Sequence, residues 1–312
     1  MRVVVLGSYV HAHCLAVKSL PISGASIEAY DWWQDHGGKG LNLAVGMHRL
    51  GLSVSLLLAV GDDAAGAAIT ELLQAEGLST QHIYKLGQQS GFGIGLISED
   101  GQNVIAVYAG ANRLLKTEHV KALAADIQQA KLVCAQFEIQ PAIVLEAFRI
   151  AKNAQIQTLL NPSPWQRPSP ELLEMTDILI VNEPEALKLF ALNAQTQLTV
   201  DEWRSLDTSQ HWTGKQLIVT LAERGAVLFQ KQQAPCYMPA WKIQQLDPTG
   251  TGDAFTAGFT YAQIMKPAIE ERLLFANACG AILATQAGVL AALPKRAEVE
   301  AFIQQNPQPR LI

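Results

Sequence analysis

Asp247-Pro248-Thr249-Gly250-Thr251-Gly252-Asp253 leads without a break into Ala254-Phe255-Thr256-Ala257-Gly258-Phe259. Two glycines precede an acidic residue, and the apolar positions after it continue at helical spacing, so the stretch predicts a loop that opens directly into a helix. The free N–H groups and positive dipole end of such a helix attract an anion, and glycine lets the backbone approach phosphate oxygens with no side chain in the way. Asp253 would repel a resting phosphate. It suits the removal of a proton from a hydroxyl that attacks one. A simpler reading is equally open at this point, a turn followed by a helix that Asp253 caps. The stretch is not a P-loop, since no Gly-Lys-Ser/Thr follows, and not a dinucleotide fingerprint, since Phe255 stands where the third glycine belongs.

Upstream of this stretch the chain alternates. Strand patterns at 132–136, 157–160, 178–181, 216–220, 226–229 and 234–238 are interleaved with helical patterns at 118–129, 142–153 and 183–190. Downstream, helices at 254–263 and 269–285 close the core, and residues 304–312, with Pro307 and Pro309, read as a loose end. In the N-terminal half, an apolar strand at 3–8 is followed by a second glycine turn, His36-Gly37-Gly38-Lys39-Gly40. That turn runs into an apolar helix ending near Arg49-Leu50-Gly51, then a strand at 53–60 and a helix at 64–76. Residues 91–98 and 104–108 read as a hairpin joined at Glu99-Asp100-Gly101-Gln102, where Asp-Gly is the turn signal.

Strands alternating with helices predict an α/β fold with a three-layer, doubly wound, mostly parallel sheet, whose ligands sit beyond the carboxyl ends of the strands. The hairpin and the first irregular segment fit a small β-sheet lid from about 10–35 and 88–110. Residues 27–35 alternate weakly around Trp32 and Trp33, which in a strand point to opposite faces, so one of them is expected to be exposed. No linker or low-complexity segment divides the chain, and residues 1–312 read as one domain.

Composition narrows the function. A chain of 312 residues, about half of them apolar, can bury a large core. A net charge of −5 and the absence of a Lys/Arg run argue against a nucleic-acid surface, so phosphate binding has to be local. Gly7, Ser8, His11 and His13 interrupt the apolar N-terminal run too early for a signal peptide or a membrane span. Four separated cysteines, Cys14, Cys134, Cys236 and Cys279, form no CxxC pair and suit reduced residues of a cytoplasmic protein.

Taken in order, these motifs resemble the ribokinase family of carbohydrate kinases, the PfkB family. Residues 36–51 are similar to its N-terminal signature, GGKGxNxA ending in RLG, and residues 247–253 to its C-terminal DTxGxGD. Gly61-Asp62-Asp63, Ala109-Gly110-Ala111-Asn112, Asn161-Pro162-Ser163-Pro164 and Asn182-Glu183-Pro184-Glu185 fall between them in the family's order, as do Thr220-Leu221, Arg224-Gly225 and Gly288. The resemblance covers nearly the whole chain. It implies an ATP-dependent kinase in which Asp253 is the general base toward a sugar hydroxyl and the amides of Gly250, Thr251 and Gly252 hold the developing negative charge. It implies that Asn182 and Glu185 help position Mg²⁺, Glu185 through water; the same four residues also make a good helix N-terminus, capped by Asn182. It places Thr220, Gly225 and Asn277 at the nucleotide, and Gly38, Lys39, Asn42 and Glu138 around the sugar. It further implies K⁺ held by backbone carbonyls near Asp247, Thr249 and Gly288, and an exposed lid edge makes a homodimer an expectation.

Departures from the family pattern bear on the substrate. Aligned without gaps, Val10 and Ala12 stand where ribokinase has an Asn and the Asp that accepts hydrogen bonds from sugar hydroxyls, so ribose loses a charged acceptor. Pro248, Thr251 and Ala222 replace a Thr, an Ala and a Gly, and Ala222 matters if its position requires a positive φ. The nearest rival is a nucleoside kinase of the same family that holds a base against an apolar or aromatic lid surface such as Trp32 or Trp33. A non-catalytic sugar or nucleotide sensor is a rival of another class.

Overall fold

The computed structural model describes residues 1–100 and 102–312. The chain opens with β1 (Arg2–Leu6), β2 (Val10–Val17), β3 (Asp31–Gly37), α1 (Lys39–Arg49), β4 (Ser53–Val60), α2 (Ala64–Ala75), β5 (Ile83–Lys85), β6 (Phe92–Ser98) and β7 (Asn103–Tyr108). The middle comprises α3 (Thr117–Ala122), α4 (Ala124–Gln129), β8 (Leu132–Gln136), α5 (Pro141–Asn153), β9 (Gln157–Asn161), α6 (Pro170–Glu174), β10 (Ile178–Asn182), α7 (Glu183–Leu189) and α8 (Val200–Arg204). It ends with β11 (Gln216–Thr220), β12 (Ala226–Gln230), β13 (Cys236–Met238), α9 (Thr251–Met265), α10 (Ile269–Ala284) and α11 (Arg296–Gln305).

Among the described residues two sheets form. The larger has nine strands in the order β13-β12-β11-β10-β9-β8-β1-β4-β5, all running one way except β12, which is antiparallel to both β11 and β13. The β-branched run Val3-Val4-Val5 is fully buried because β1 lies mid-sheet with helices over both faces. Alternation divides it: Val3 and Val5 join the core that holds α1, α2, α9 and α10, while Val4 and Leu6 join the core against α3 to α8. Strand β1 lies between β8 and β4, although β4 follows and β8 comes much later in the chain. The winding direction therefore reverses at β1 and β8, and the crevice beyond their carboxyl ends is where such a sheet receives a ligand.

The smaller sheet, in the order β3-β2-β6-β7, is the lid. Two side-chain clamps fix the points where it leaves the core. Asn112 bonds both backbone groups of Tyr9, and Asp63 accepts from the Ser90 N–H and hydroxyl and from Gly66 N at the start of α2. Gly101, in the expected hairpin turn, lies outside the described residues.

Four expectations are corrected. The helix expected at 118–129 is two helices broken at Leu123. The strand read at 27–35 is displaced to Asp31–Gly37, and both Trp32 and Trp33 are exposed, at 63% and 40%. The tail is not loose: Ile312 exchanges two backbone hydrogen bonds with Tyr237 of β13, at 2.8 and 2.9 Å, and Leu311 packs on the core. Helix α11, unforeseen because its apolar face is narrow, brings the chain back to that edge and packs Phe302 edge-to-face on Trp241, with ring centroids 5.0 Å apart.

Candidate active site

Helix α9 begins at Thr251, immediately after Gly250, whose φ of 76° only glycine adopts easily. A side chain at Gly250 would also strike Val289, with Cγ1 only 2.4 Å from the added Cβ. The loop through Gly288 thus packs directly on the start of α9. No side chain caps the helix, and among the described residues the backbone N–H groups of Gly252 and Asp253 have no acceptor. These are the exposed amides of a helix start with the dipole behind them, a place for a phosphate oxygen. Asp253 does not cap the helix, so the simpler reading of the motif does not describe it.

Asp253 is buried, and the glycine turn from the other end of the chain supplies its partners. Asn42 Nδ2 donates to Asp253 Oδ2 at 2.8 Å, and Lys39 Nζ lies 3.6 Å from Oδ1. The Asp253 charge, opposed by burial, raises the Lys39 pKa, so the ammonium holds its proton. Asn42 Oδ1 is a buried acceptor with no partner among the described residues, free to receive a hydroxyl. The turn itself is dictated by close approach. A Cβ on Gly38 would lie 2.5 Å from Ser8 O, and one on Gly40 would lie 2.3 Å from Gly7 Cα.

Across the reversal of the sheet, Glu138 follows β8 and accepts from Ser8 Oγ at 2.6 Å and from Lys39 N at 2.7 Å. Both bonds fall on Oε2. Burial pushes the Glu138 carboxyl above its usual range, although Ser8 and Lys39 pull the other way. Ser8 also receives Gly40 N at 3.1 Å, so it joins both halves of the floor. Sequence reading gave Ser8 no role, although Gly-Ser ends the first strand; its partners lie 32 and 130 positions away in the chain.

On the other side of β8, Asn182 and Thr220 are register neighbours at the carboxyl ends of β10 and β11. Asn182 and Glu185 form a reciprocal capping box, at 2.9 and 3.0 Å, which starts α7. Burial raises the Glu185 pKa, and the Lys39 charge works against the rise. Gly225 has φ 109°, and a Cβ there would meet Met238 O at 2.1 Å, so its glycine is fixed by packing. Ala222 has φ 51°, a left-handed conformation that costs a residue with a Cβ about 1–2 kcal/mol. Asn277 points its amide at Met238 O and Pro239 O, at 3.3 and 3.0 Å, and anchors that segment to α10. Arg224 pairs with Glu183 and bonds Leu198 O, so its charge is already engaged.

For a cation the structure offers two settings. The carbonyls of Asp247, Thr249 and Gly288 accept no hydrogen bond among the described residues, and an Asx turn from Thr249 N to Asp247 Oδ1 (2.9 Å) shapes the first two. Such oxygens suit a hard monovalent ion. Among the described residues no three His, Cys, Asp or Glu side chains converge to hold a metal. A lone carboxylate such as Glu185 could hold Mg²⁺ only through the ion's own waters.

A family model described as pfkB family carbohydrate kinase matches residues 1–296. The chain is 29% identical to ribokinase of Haemophilus influenzae, over 96% of this chain and 97% of the relative. It is 28% identical to deoxyribokinase of Salmonella typhi, over 98% and 100%. The structure of Arabidopsis thaliana ribokinase complexed with ribose and ATP superposes with a TM-score of 0.86 at 26% identity, covering 97% of this chain and 98% of that one. Fold and sequence thus define an ATP-dependent phosphotransferase acting on an alcohol. The chain belongs to the pfkB family of carbohydrate kinases. No helix among the described residues is long and apolar enough to cross a membrane.

Proposed function

We propose that the chain moves the γ-phosphoryl group of ATP to a primary hydroxyl of a small carbohydrate, with Asp253 as general base. The observation that carries this is the pairing at the start of α9: a buried carboxylate held by Asn42 and Lys39, beside helix N–H groups without acceptors. The acceptor oxygen forms a bond to the γ-phosphorus while its proton passes to Asp253. The bond from phosphorus to the β,γ-bridging oxygen breaks, and its electron pair stays on ADP. The amides of Gly250 and Gly252 face the negative charge that develops, and that of Thr251, which donates to Pro248 O at 3.2 Å, joins them by sharing that bond. Gly38, Lys39, Asn42 and Glu138 line the acceptor floor, and Asn182, Glu185, Thr220, Gly225 and Asn277 border the nucleotide, Asn277 by placing residues 238–239.

We place Mg²⁺ at Glu185 through water and K⁺ at the Asp247, Thr249 and Gly288 carbonyls, a reading supported by carbonyl oxygens that accept no hydrogen bond among the described residues. When bound, these ions supply charge neutralisation at the phosphates. Residues 1–312 act as one kinase unit whose lid, about 10–35 and 88–110, excludes water on closing. Four free thiols suit a cytoplasmic setting. On the lid face opposite to Asp35, Trp32, Leu15, Leu96 and Val104 share one row. We place a second copy of the chain against it.

Replacing Asp253 by Asn lowers kcat by roughly 10²–10⁴-fold while ATP still raises the melting temperature. A near-normal rate in that variant would remove Asp253 as the base.

A further inference from the structure

The turn between β11 and β12 is held in a conformation that its own sequence disfavours. It is closed by Leu221 N donating to Gly225 O at 2.7 Å, and within it Arg224 N donates to Leu221 O at 3.0 Å and Gly225 N to Ala222 O at 3.1 Å. At its first bend Ala222 has φ 51°. Glycine enters that region freely, whereas a Cβ biases the residue against it by a factor of roughly 5–30. The Ala222 methyl group is exposed, so no packing of its own offsets the strain. A backbone in this state persists only where its surroundings over-determine it, and here they do so through one side chain.

Arg224 Nη2 pairs with Glu183 Oε2, and Arg224 Nη1 donates to Leu198 O at 2.8 Å. Both terminal nitrogens therefore already bond protein oxygens. Glu183 is itself fixed, because its Oε1 accepts from the indole N–H of Trp203 at 3.0 Å and Trp203 is fully buried in α8. From the other side Tyr237 Oη donates to Arg224 O at 2.6 Å. Arg224 thus ties the turn to the start of α7, to the segment that enters α8, and to β13. Glu183 stands between Asn182 and Glu185, so the same contact sets the turn against the carboxyl end of β10. A charge-assisted bond between half-buried partners is strong enough to oppose the strain at Ala222.

We propose that Arg224 is a positioning residue for the nucleotide: its clamp on Glu183 and Leu198 holds Ala222 in the strained conformation that sets Thr220 and Gly225 for ATP, without touching ATP itself. This rests on the phosphoryl-transfer reading above and adds no bond change to it. Without the clamp the turn relaxes to a negative φ at position 222. Only the fraction of molecules that keeps the strained form then binds nucleotide, and the apparent affinity falls with that fraction, by up to roughly 5–30-fold. The sign of a second substitution follows. Ala222→Gly removes the strain, so the turn no longer depends on Arg224.

The test is titration calorimetry of the intact protein with AMP-PNP and Mg²⁺, beside thermal melts, in wild type, Arg224→Met, Ala222→Gly and the double variant. Arg224→Met is expected to weaken AMP-PNP by roughly 5–30-fold, and the double variant to bind within about twofold of Ala222→Gly alone. If Arg224→Met gives no cooperative melt, Glu183→Gln takes its place: it keeps an acceptor for Trp203, removes the charge that Arg224 grips, and should weaken AMP-PNP in a way that Ala222→Gly cures. Weakened binding that Ala222→Gly does not restore means direct contact between Arg224 and the nucleotide, and overturns the inference. A lower melting temperature with unchanged AMP-PNP affinity reduces the clamp to a structural bond, and also overturns it while leaving the kinase reading intact. No binding of AMP-PNP by wild type overturns both readings.

Discussion

The two glycines of the α9 motif are required for different reasons, and a single methyl group separates them. At Gly250 a Cβ collides with Val289 and the φ is left-handed, so the fold itself demands glycine. At Gly252 an added Cβ meets nothing within 4 Å. Only a ligand would be obstructed there. Gly252→Ala is therefore expected to fold with unchanged or slightly higher stability, by up to about 1 kcal/mol, because alanine is the better helix former. Its turnover falls by roughly 10²–10³-fold, as for loss of an oxyanion-hole contact. A thermal melt and a steady-state assay on one preparation check both halves, and full activity would mean that no phosphate comes close to this amide.

Glu138 gives a prediction of a different kind at the same scale. Burial raises its folded-state pKa above 4.5, the ordinary value for a glutamate carboxyl. The folded protein then holds more protons than the unfolded chain between 4.5 and that higher value, so stability falls as pH rises through the window. Above it the buried charge persists as a cost; below 4.5 both states are protonated and the cost disappears. Glu138→Gln keeps an acceptor for Ser8 and Lys39 N and carries no charge. Melting curves across pH should show the variant above wild type at pH 7 and level with it near pH 4, while its KM for the acceptor rises. The position of Glu138 was readable only by resemblance. Its bonds to Ser8 and Lys39 span 130 and 99 positions, which no local pattern reveals. The anion motif was legible because its chemistry lies within seven consecutive residues.

Among elements, α7 separates a structural role from a functional one. Asn182 caps it with a bond to Glu185 N, and Glu185 returns one to Asn182 N. Asn182→Ala removes the cap and costs about 1 kcal/mol. Glu185→Gln preserves the box, since glutamine also serves at that position, and should keep stability within about 0.5 kcal/mol. If Glu185 also positions Mg²⁺, the same variant needs several-fold more Mg²⁺ for half-maximal activity. A Mg²⁺ titration unchanged by the substitution would reduce Glu185 to its capping role. Element existence was legible wherever apolar periodicity was strong, as in β1, β8, β10 and β11. It failed where tertiary contacts decide. The break at Leu123 has no glycine or proline to announce it, and the tail is held by Tyr237, 75 positions away. Strand β2, with His11, Ala12, His13 and Cys14, is too polar and irregular to be read alone; it exists because β3 and β6 flank it.

For the whole molecule, the adjacent tryptophans of β3 lie on opposite faces of the lid and can separate the two events proposed for it. Trp33 shares its face with Cys14, Gly95 and Ile105 over the site, and Trp32 shares the opposite face with Leu15, Leu96 and Val104. Both indoles are solvent-exposed, so the emission of each should shift to shorter wavelength on burial. Acceptor binding with a non-hydrolysable ATP analogue closes the lid and buries Trp33; the blue shift should be abolished by Trp33→Phe and retained by Trp32→Phe. If a second copy covers the outer face, as proposed, self-association buries Trp32 instead. Diluting the ligand-free protein should therefore shift emission to longer wavelength in wild type and Trp33→Phe but not in Trp32→Phe, and Trp32→Glu should sediment as a monomer. Because the two faces belong to one thin sheet, ordering one constrains the other, and the acceptor should bind more tightly to the associated form than to a Trp32→Glu monomer. Equal acceptor affinity in the two forms would show that lid closure and self-association are independent.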